Sequence, residues 1–176
     1  PYFGICLGYQ FLFDTTAEGE GVQALGALKG GDAIFEAAGE GDDLAVASQS
    51  FVLGAGQSVE TLSAAEGSGN INLTRNALSQ SLYGNAGNNI LTTGGGADYM
   101  VGGAGNDVFV LTNAAGVATV AGYAAGDVVD IGQYLSVAGG TNVVTGGYVK
   151  IVGTQLMIDA NGGGDSWTTI GNVLGS

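Results

Sequence analysis

The chain has 176 residues, among them 35 glycines and a single proline, and 45% of it is hydrophobic. This is enough for one domain, or one and a fragment, with a core, and so much glycine without proline excludes collagen and argues against a disordered Pro/Gly linker. With 16 acidic residues against 3 basic ones the net charge is −13, which repels phosphate and sets aside nucleic acid and anionic membranes as partners. Self-repulsion on that scale also opposes compaction until cations arrive. There is no histidine, so His-ligated zinc, a Ser-His-Asp triad and a Cys-His pair are excluded within this sequence. The lone cysteine, Cys6, has no intramolecular disulfide partner. No apolar run reaches the ~20 residues that span a bilayer. No basic segment precedes the first apolar run, so no cleavable export signal is expected. The chain opens on Pro1 and is read as a piece of a longer one.

Residues 1–30 differ from all that follows. Tyr2 to Ile5 reads as a short buried strand, Gly4-Ile5-Cys6-Leu7-Gly8 as a sharp turn, and Leu7 to Ala17 as a helix. Strand, turn and helix with a nucleophile at the turn form an elbow that exposes a side chain. GICLGYQ and the following FLFDTTAEG resemble class I glutamine amidotransferases, most closely the glutaminase subunit of imidazole glycerol phosphate synthase. That resemblance implies attack on a glutamine amide by Cys6, activated by a downstream His and Glu. The chain has no histidine, and a thiol of pKa ~8.5 without a base is a weak nucleophile. Residues 1–30 are therefore read as a non-functional elbow fragment outside the repeat, and the chain as not an enzyme.

Residues 31–65 carry apolar clusters at Ile34-Phe35, Leu44-Ala45-Val46, Phe51-Val52-Leu53 and Val59, separated by Gly, Asp, Ser and Gln. These are short strands with turns, the opening coils of a degenerate solenoid. Glu36, Glu40, Asp42 and Asp43 form an acidic face, or alternatively take a cation.

Residues 66–115 hold the informative stretch. Written in nines, 84–110 reads GNAGNNILT, TGGGADYMV, GGAGNDVFV. The last fits G-G-x-G-x-D-x-U-x, with U large and apolar, at every fixed position. The second has Thr93 for the first glycine. The first has Asn85 for glycine and Asn89 for aspartate. EGSGNINLT (66–74) and RNALSQSLY (75–83) keep the phase weakly, so the U positions fall at Leu73, Leu82, Leu91, Met100 and Phe109. A nonapeptide period of this kind belongs to a calcium-binding parallel β-helix. Six residues make a turn and three a strand. Glycine permits the tight turn and leaves carbonyls bare, and the aspartate points a carboxylate the same way. Ca²⁺ takes six to eight oxygens at roughly 2.3–2.6 Å, more than one turn supplies but within reach of two.

Successive strands lie on opposite sheets, so turns two repeats apart stack. That pairs 84–89 with 102–107 and brings Asn89 and Asp107 to one candidate site. The turn 93–98, with Asp98, lies on the other side beside the degenerate 75–80 and 111–116. One good site and at best one or two weaker ones are expected. The U residues should fill the thin core.

These residues resemble the RTX, or haemolysin-type, calcium-binding repeat family, closely over 66–110 and more loosely over 31–65 and 116–176. The resemblance implies an all-β, right-handed parallel β-roll or β-solenoid with a C-terminal β cap. It implies Ca²⁺ as the bound ion, held by Asn89, Asp98 and Asp107 with carbonyls near Gly84, Gly87, Gly94, Gly96, Gly102, Gly103 and Gly105.

Beyond Leu111 the phase is lost. Residues 117–120 (VATV) and Asp127 to Ile131 read as strands of the closing segment. Tyr148 to Val152 and Gln155 to Ile158 read as a hairpin about Gly153-Thr154. Asp159, Asn161 and Asp165 surround a glycine run as in part of a calcium loop, but Ile170 stands where an EF-hand needs glutamate. A polar glycine hairpin before the strand Trp167–Ile170 is the equal alternative. Residues 116–176 are assigned to the cap, which shields the open solenoid end, and the resemblance to RTX proteins implies that this C-terminal region also carries an uncleaved signal for type I export. The whole reads as the calcium-dependent module of a protein secreted to the cell exterior or surface by type I machinery. A surface adhesin or stiff spacer, and an accessory domain of a secreted hydrolase, are the alternatives. Nothing in the repeat fixes an oligomeric state.

Overall fold

The structure, a computed structural model of the chain, describes residues 23–28, 42–112 and 116–175. Cys6, its expected elbow, Glu36 and Glu40 lie outside the described residues. The strands, in chain order, are β1 (Gln23–Leu28), β2 (Asp43–Ala47), β3 (Phe51–Val52), β4 (Thr61–Ala64), β5 (Asn72–Thr74), β6 (Ser81–Tyr83) and β7 (Ile90–Thr92). They continue as β8 (Tyr99–Val101), β9 (Val108–Val110), β10 (Ala118–Tyr123), β11 (Val128–Asp130), β12 (Val149–Val152), β13 (Gln155–Ile158) and β14 (Thr168–Gly175).

Alternate strands go to alternate sheets, as the nine-residue period requires. The long sheet runs β1-β2-β4-β6-β8-β10-β14-β13-β12 and the short one β11-β9-β7-β5-β3. Pairing is parallel along the solenoid, and in the long sheet it begins at β1, inside the segment assigned to residues 1–30. The U residues are in register across each sheet: Leu82 opposite Met100, and Leu73, Leu91 and Phe109 in a row. All five are fully buried. Their neighbours point outward, where the rings of Tyr83 and Tyr99 meet at 6.4 Å on the surface of the long sheet. Each buried Leu or Phe contributes about 1.5–3 kcal/mol by leaving water, which is why a repeat this short must stack to be stable.

The parallel solenoid extends past the last clear repeat. Met100 is followed by Val120, and Phe109 by Val129, each at a spacing of twenty rather than eighteen. The period was lost by insertion and not by a change of fold. β14 then lies parallel to β10, and β13 and β12 follow antiparallel, closing the long sheet with the expected hairpin about Gly153 (φ 62°). β14 is longer than the expected strand, ending at Gly175. No helix among the described residues is long and apolar enough to cross a membrane.

Candidate metal centre

The turns 66–71, 84–89, 102–107 and 124–127 all lead from the long sheet to the short one and stack along one edge of the roll. Two columns of side chains run down this edge. At the fifth repeat position Asn70 Oδ1 accepts the Asn88 N–H, and Asn88 Oδ1 accepts the Asn106 N–H, each at 2.9 Å. At the sixth, Asp107 Oδ1 accepts the Asn89 N–H at 2.8 Å, and Asp127 Oδ1 accepts the Asp107 N–H at 2.9 Å. Stacking therefore brings Asn89 and Asp107 together as expected. It also brings in Asp127, which the sequence reading placed in a strand and not in a site.

The sixth position shows how each turn satisfies its side chain. Asn89 turns its amide inward: Oδ1 accepts the Asn85 N–H at 2.9 Å and Nδ2 donates to the Ile71 carbonyl at 3.0 Å. Asp127 is fully engaged, its Oδ2 accepting the Ala124 N–H at 2.9 Å. Asp107 is not. It is 1% exposed, and Oδ2 is buried without a hydrogen-bond partner. Burial pushes its carboxyl above the ordinary value; the Asn89 N–H works against the rise and the Asp127 charge adds to it. A buried carboxylate oxygen with no donor and a second carboxylate nearby is satisfied by a cation.

Glycine is obligatory where the turns touch. A Cβ on Gly102 would lie 2.1 Å from Asp107 Oδ2, and one on Gly84 would lie 2.1 Å from the Gly102 carbonyl oxygen. Gly103 and Gly105 have φ of 103° and 109°, and face the Asn85 and Gly87 carbonyls. Gly87 in turn faces the Gly69 carbonyl. Gly84, Gly87, Gly102, Gly103 and Gly105 thus let stacked turns approach closely along the edge that carries the unanswered carboxylate, and carbonyl and carboxylate oxygens are the donors a hard divalent ion such as Ca²⁺ takes. Asp107 with these carbonyls, flanked by Asp127, would hold it.

The opposite edge is built differently. Asp98 lies there with Gly94 and Gly96, on the turn that stacks on 75–80. Its Oδ1 is 2.8 Å from Arg75 Nη1, and both side chains are essentially buried. Burial raises the Asp98 carboxyl, offset in part by Arg75 and by the N–H groups of Gln80 and Gly94. Gly94 packs on the Asn76 carbonyl and Gly96 on the Ser79 hydroxyl. Gln80, at the sixth position of its own turn, donates Nε2 to the Val59 carbonyl at 2.7 Å. Arg75 occupies the first position of RNALSQSLY, where the repeat pattern has glycine.

In the cap, Asp159 is buried and closes its loop on itself. Oδ1 accepts the Asn161 N–H at 3.3 Å, and Oδ2 accepts those of Gly164, Asp165 and Ser166 at 2.9, 3.0 and 3.3 Å. Burial pushes this carboxyl up, but the four donors outweigh it and the net shift is downward. Asn161 and Asp165 are exposed. Donors already surround the carboxylate, so the polar hairpin describes this loop better than an ion site does. Asp43 is also buried, with Oδ2 lacking a hydrogen-bond partner and its N–H donating to Glu60 at 2.9 Å.

The fold is a parallel β-solenoid whose glycine turns stack closely around a buried aspartate. Residues 76–109 match the family model of the RTX calcium-binding nonapeptide repeat, in four copies. Repeats of this type bind calcium. No curated protein and no solved structure matches the chain.

Proposed function

We propose that the chain is the calcium-responsive folding module of a protein exported by type I machinery to the cell exterior. The observation that carries this reading is Asp107, whose Oδ2 is buried without a partner while Asp127 adjoins it. Repeats of this type occur in secreted proteins, and the self-repulsion of a net charge of −13 weakens the fold of an ion-free chain. Bound calcium supplies positive charge between stacked turns. The Asp107 carboxylate and the carbonyls of the glycine turns supply the oxygens, and the Asn70, Asn88 and Asn106 column fixes the register in which they meet. Extracellular calcium modules bind at roughly 10⁻⁴–10⁻³ M, a range that separates the outside of a cell from its cytosol. Binding free energy at such a site is folding free energy.

The test is far-UV circular dichroism of the chain from chelator to about 10 mM calcium, beside Asp107→Asn. A cooperative gain of β signal, with the midpoint moved at least about tenfold higher in Asp107→Asn, is expected. Equal folding in chelator and in calcium would replace this reading with that of a calcium-independent spacer.

A further inference from the structure

The stacked turns 75–80 and 93–98 on one edge and 84–89 and 102–107 on the other have the same fold but differ in charge. Along the edge of 84–89 and 102–107, the buried sixth-position groups are Asn89, Asp107 and Asp127, two carboxylates with no basic side chain. Along the other, the column runs Asp43, Glu60, Gln80 and Asp98, and within its stacked turns 75–80 and 93–98 Asp98 contributes one carboxylate and Arg75 one guanidinium. Arg75 is one of only 3 basic residues in a chain with 16 acidic ones. It stands at the first repeat position, where the later turn 102–107 has Gly102, so its side chain starts within the turn. Burying it is unfavourable: its pKa falls to about 10, with burial the main cause and Asp98 opposing. It remains charged at neutral pH, so something beside it repays the burial.

From this placement we infer that the Arg75 guanidinium is a tethered cation, standing between the turns 75–80 and 93–98 where the other edge holds calcium. The inference rests on the calcium reading of Asp107. Charge, more than hydrogen-bond geometry, holds the pair: Arg75 Nε, Nη1 and Nη2, both Asp98 carboxylate oxygens and Gln80 Oε1 are buried without hydrogen-bond partners. A mobile cation would meet the same requirement. Protein groups close the remaining contacts of this edge. Thr112 Oγ1 donates to the Gly94 carbonyl at 2.9 Å, and Asn76 Nδ2 donates to the Gly54 and Gln57 carbonyls at 2.9 and 2.7 Å. The turns 75–80 and 93–98 are thereby balanced before any ion arrives, Arg75 against Asp98, and the turns 84–89 and 102–107 are not. Asp98, despite fitting the repeat pattern, then contributes no calcium ligand in the native chain.

The experiment counts bound calcium by equilibrium dialysis and follows thermal melting, with chelator and with about 10 mM calcium. It compares the native chain with Asp98→Asn, Arg75→Gln and the double variant. Asp98→Asn should leave the calcium count unchanged. Arg75→Gln should melt lower in chelator, bind one ion more than the native chain, and regain stability with calcium. The double variant should lose that extra ion. A drop in the count for Asp98→Asn overturns the inference. So does an Arg75→Gln variant that gains no ion, or that stays unfolded at high calcium. If the native chain binds no calcium, the reading of Asp107 fails. An ion gained by Arg75→Gln would still show that the guanidinium had filled a cation site.

Discussion

At the scale of single residues, the sixth repeat position shows four solutions to one problem, a polar side chain held in a dry turn. Gln80 and Asn89 are amides and carry their own donor, which reaches a carbonyl of the preceding turn. Asp98 borrows a guanidinium. Asp127 takes two backbone N–H groups. Asp107 keeps one oxygen unanswered. Asp159 repeats the Asp127 solution in the cap, with four N–H donors. Because its folded pKa is lowered, its contribution is present above its ordinary value of 3.8 and is lost as pH falls through the folded value. The fluorescence of Trp167, whose Nε1 donates to the Gly164 carbonyl at 2.8 Å, reports on this loop. Asp159→Asn is expected to weaken the cap at neutral pH and to remove the acid transition of that signal. An unchanged transition would assign it to another carboxylate.

At the scale of elements, a turn works only if its neighbour can approach. Gly103 combines φ of 103° with a would-be Cβ 2.2 Å from the Asn85 carbonyl oxygen. Gly95 has no positive φ, and its would-be Cβ meets the Ala77 carbonyl at 3.1 Å, a contact that a small shift relieves. Gly103→Ala should therefore destabilise the calcium-loaded protein by more than about 1 kcal/mol, and Gly95→Ala by clearly less. Thermal melting of the two variants decides it, and equal losses would mean that the turns do not stack this closely. The strands are less demanding. Each of β5 to β9 buries one residue of three, and the register across the short sheet is set by the row Leu73, Leu91, Phe109.

At the scale of the whole molecule, acidity and packing oppose one another. Asp98 and Asp107 both have folded pKa values raised chiefly by burial. A raised value means that the folded state binds the proton more tightly. The stability these groups contribute is full below their ordinary 3.8 and is lost as pH rises through the folded value. In chelator the native chain should thus gain melting temperature as pH is lowered from neutral towards about 4. Asp107→Asn should show a smaller gain, its share having been removed. A chelated native chain whose stability falls over that interval would contradict the buried placement of both groups. Below about 4 the Asp159 loop works in the opposite direction and limits the gain.

The sequence by itself determined the period, the inward row of U residues, the alternation of sheets and the stacking of 84–89 on 102–107. All of these follow from a nine-residue repeat in which one strand position must be apolar and the turn must be glycine. It also exposed, unused, the recurrence of asparagine at 70, 88 and 106. The tertiary structure decided what periodicity cannot carry. Asp127 joins the column because the two residues inserted between Val110 and Thr119 leave the next strands paired in register, Thr119 with Tyr99 and Val128 with Val108, so the chain returns to register in space though not in sequence. Asp98 matches the repeat as well as Asp107 does, yet the two carboxylates face different surroundings. A pattern within one turn says nothing of the side chain that the turn stacked beneath it contributes, and here that side chain is Arg75.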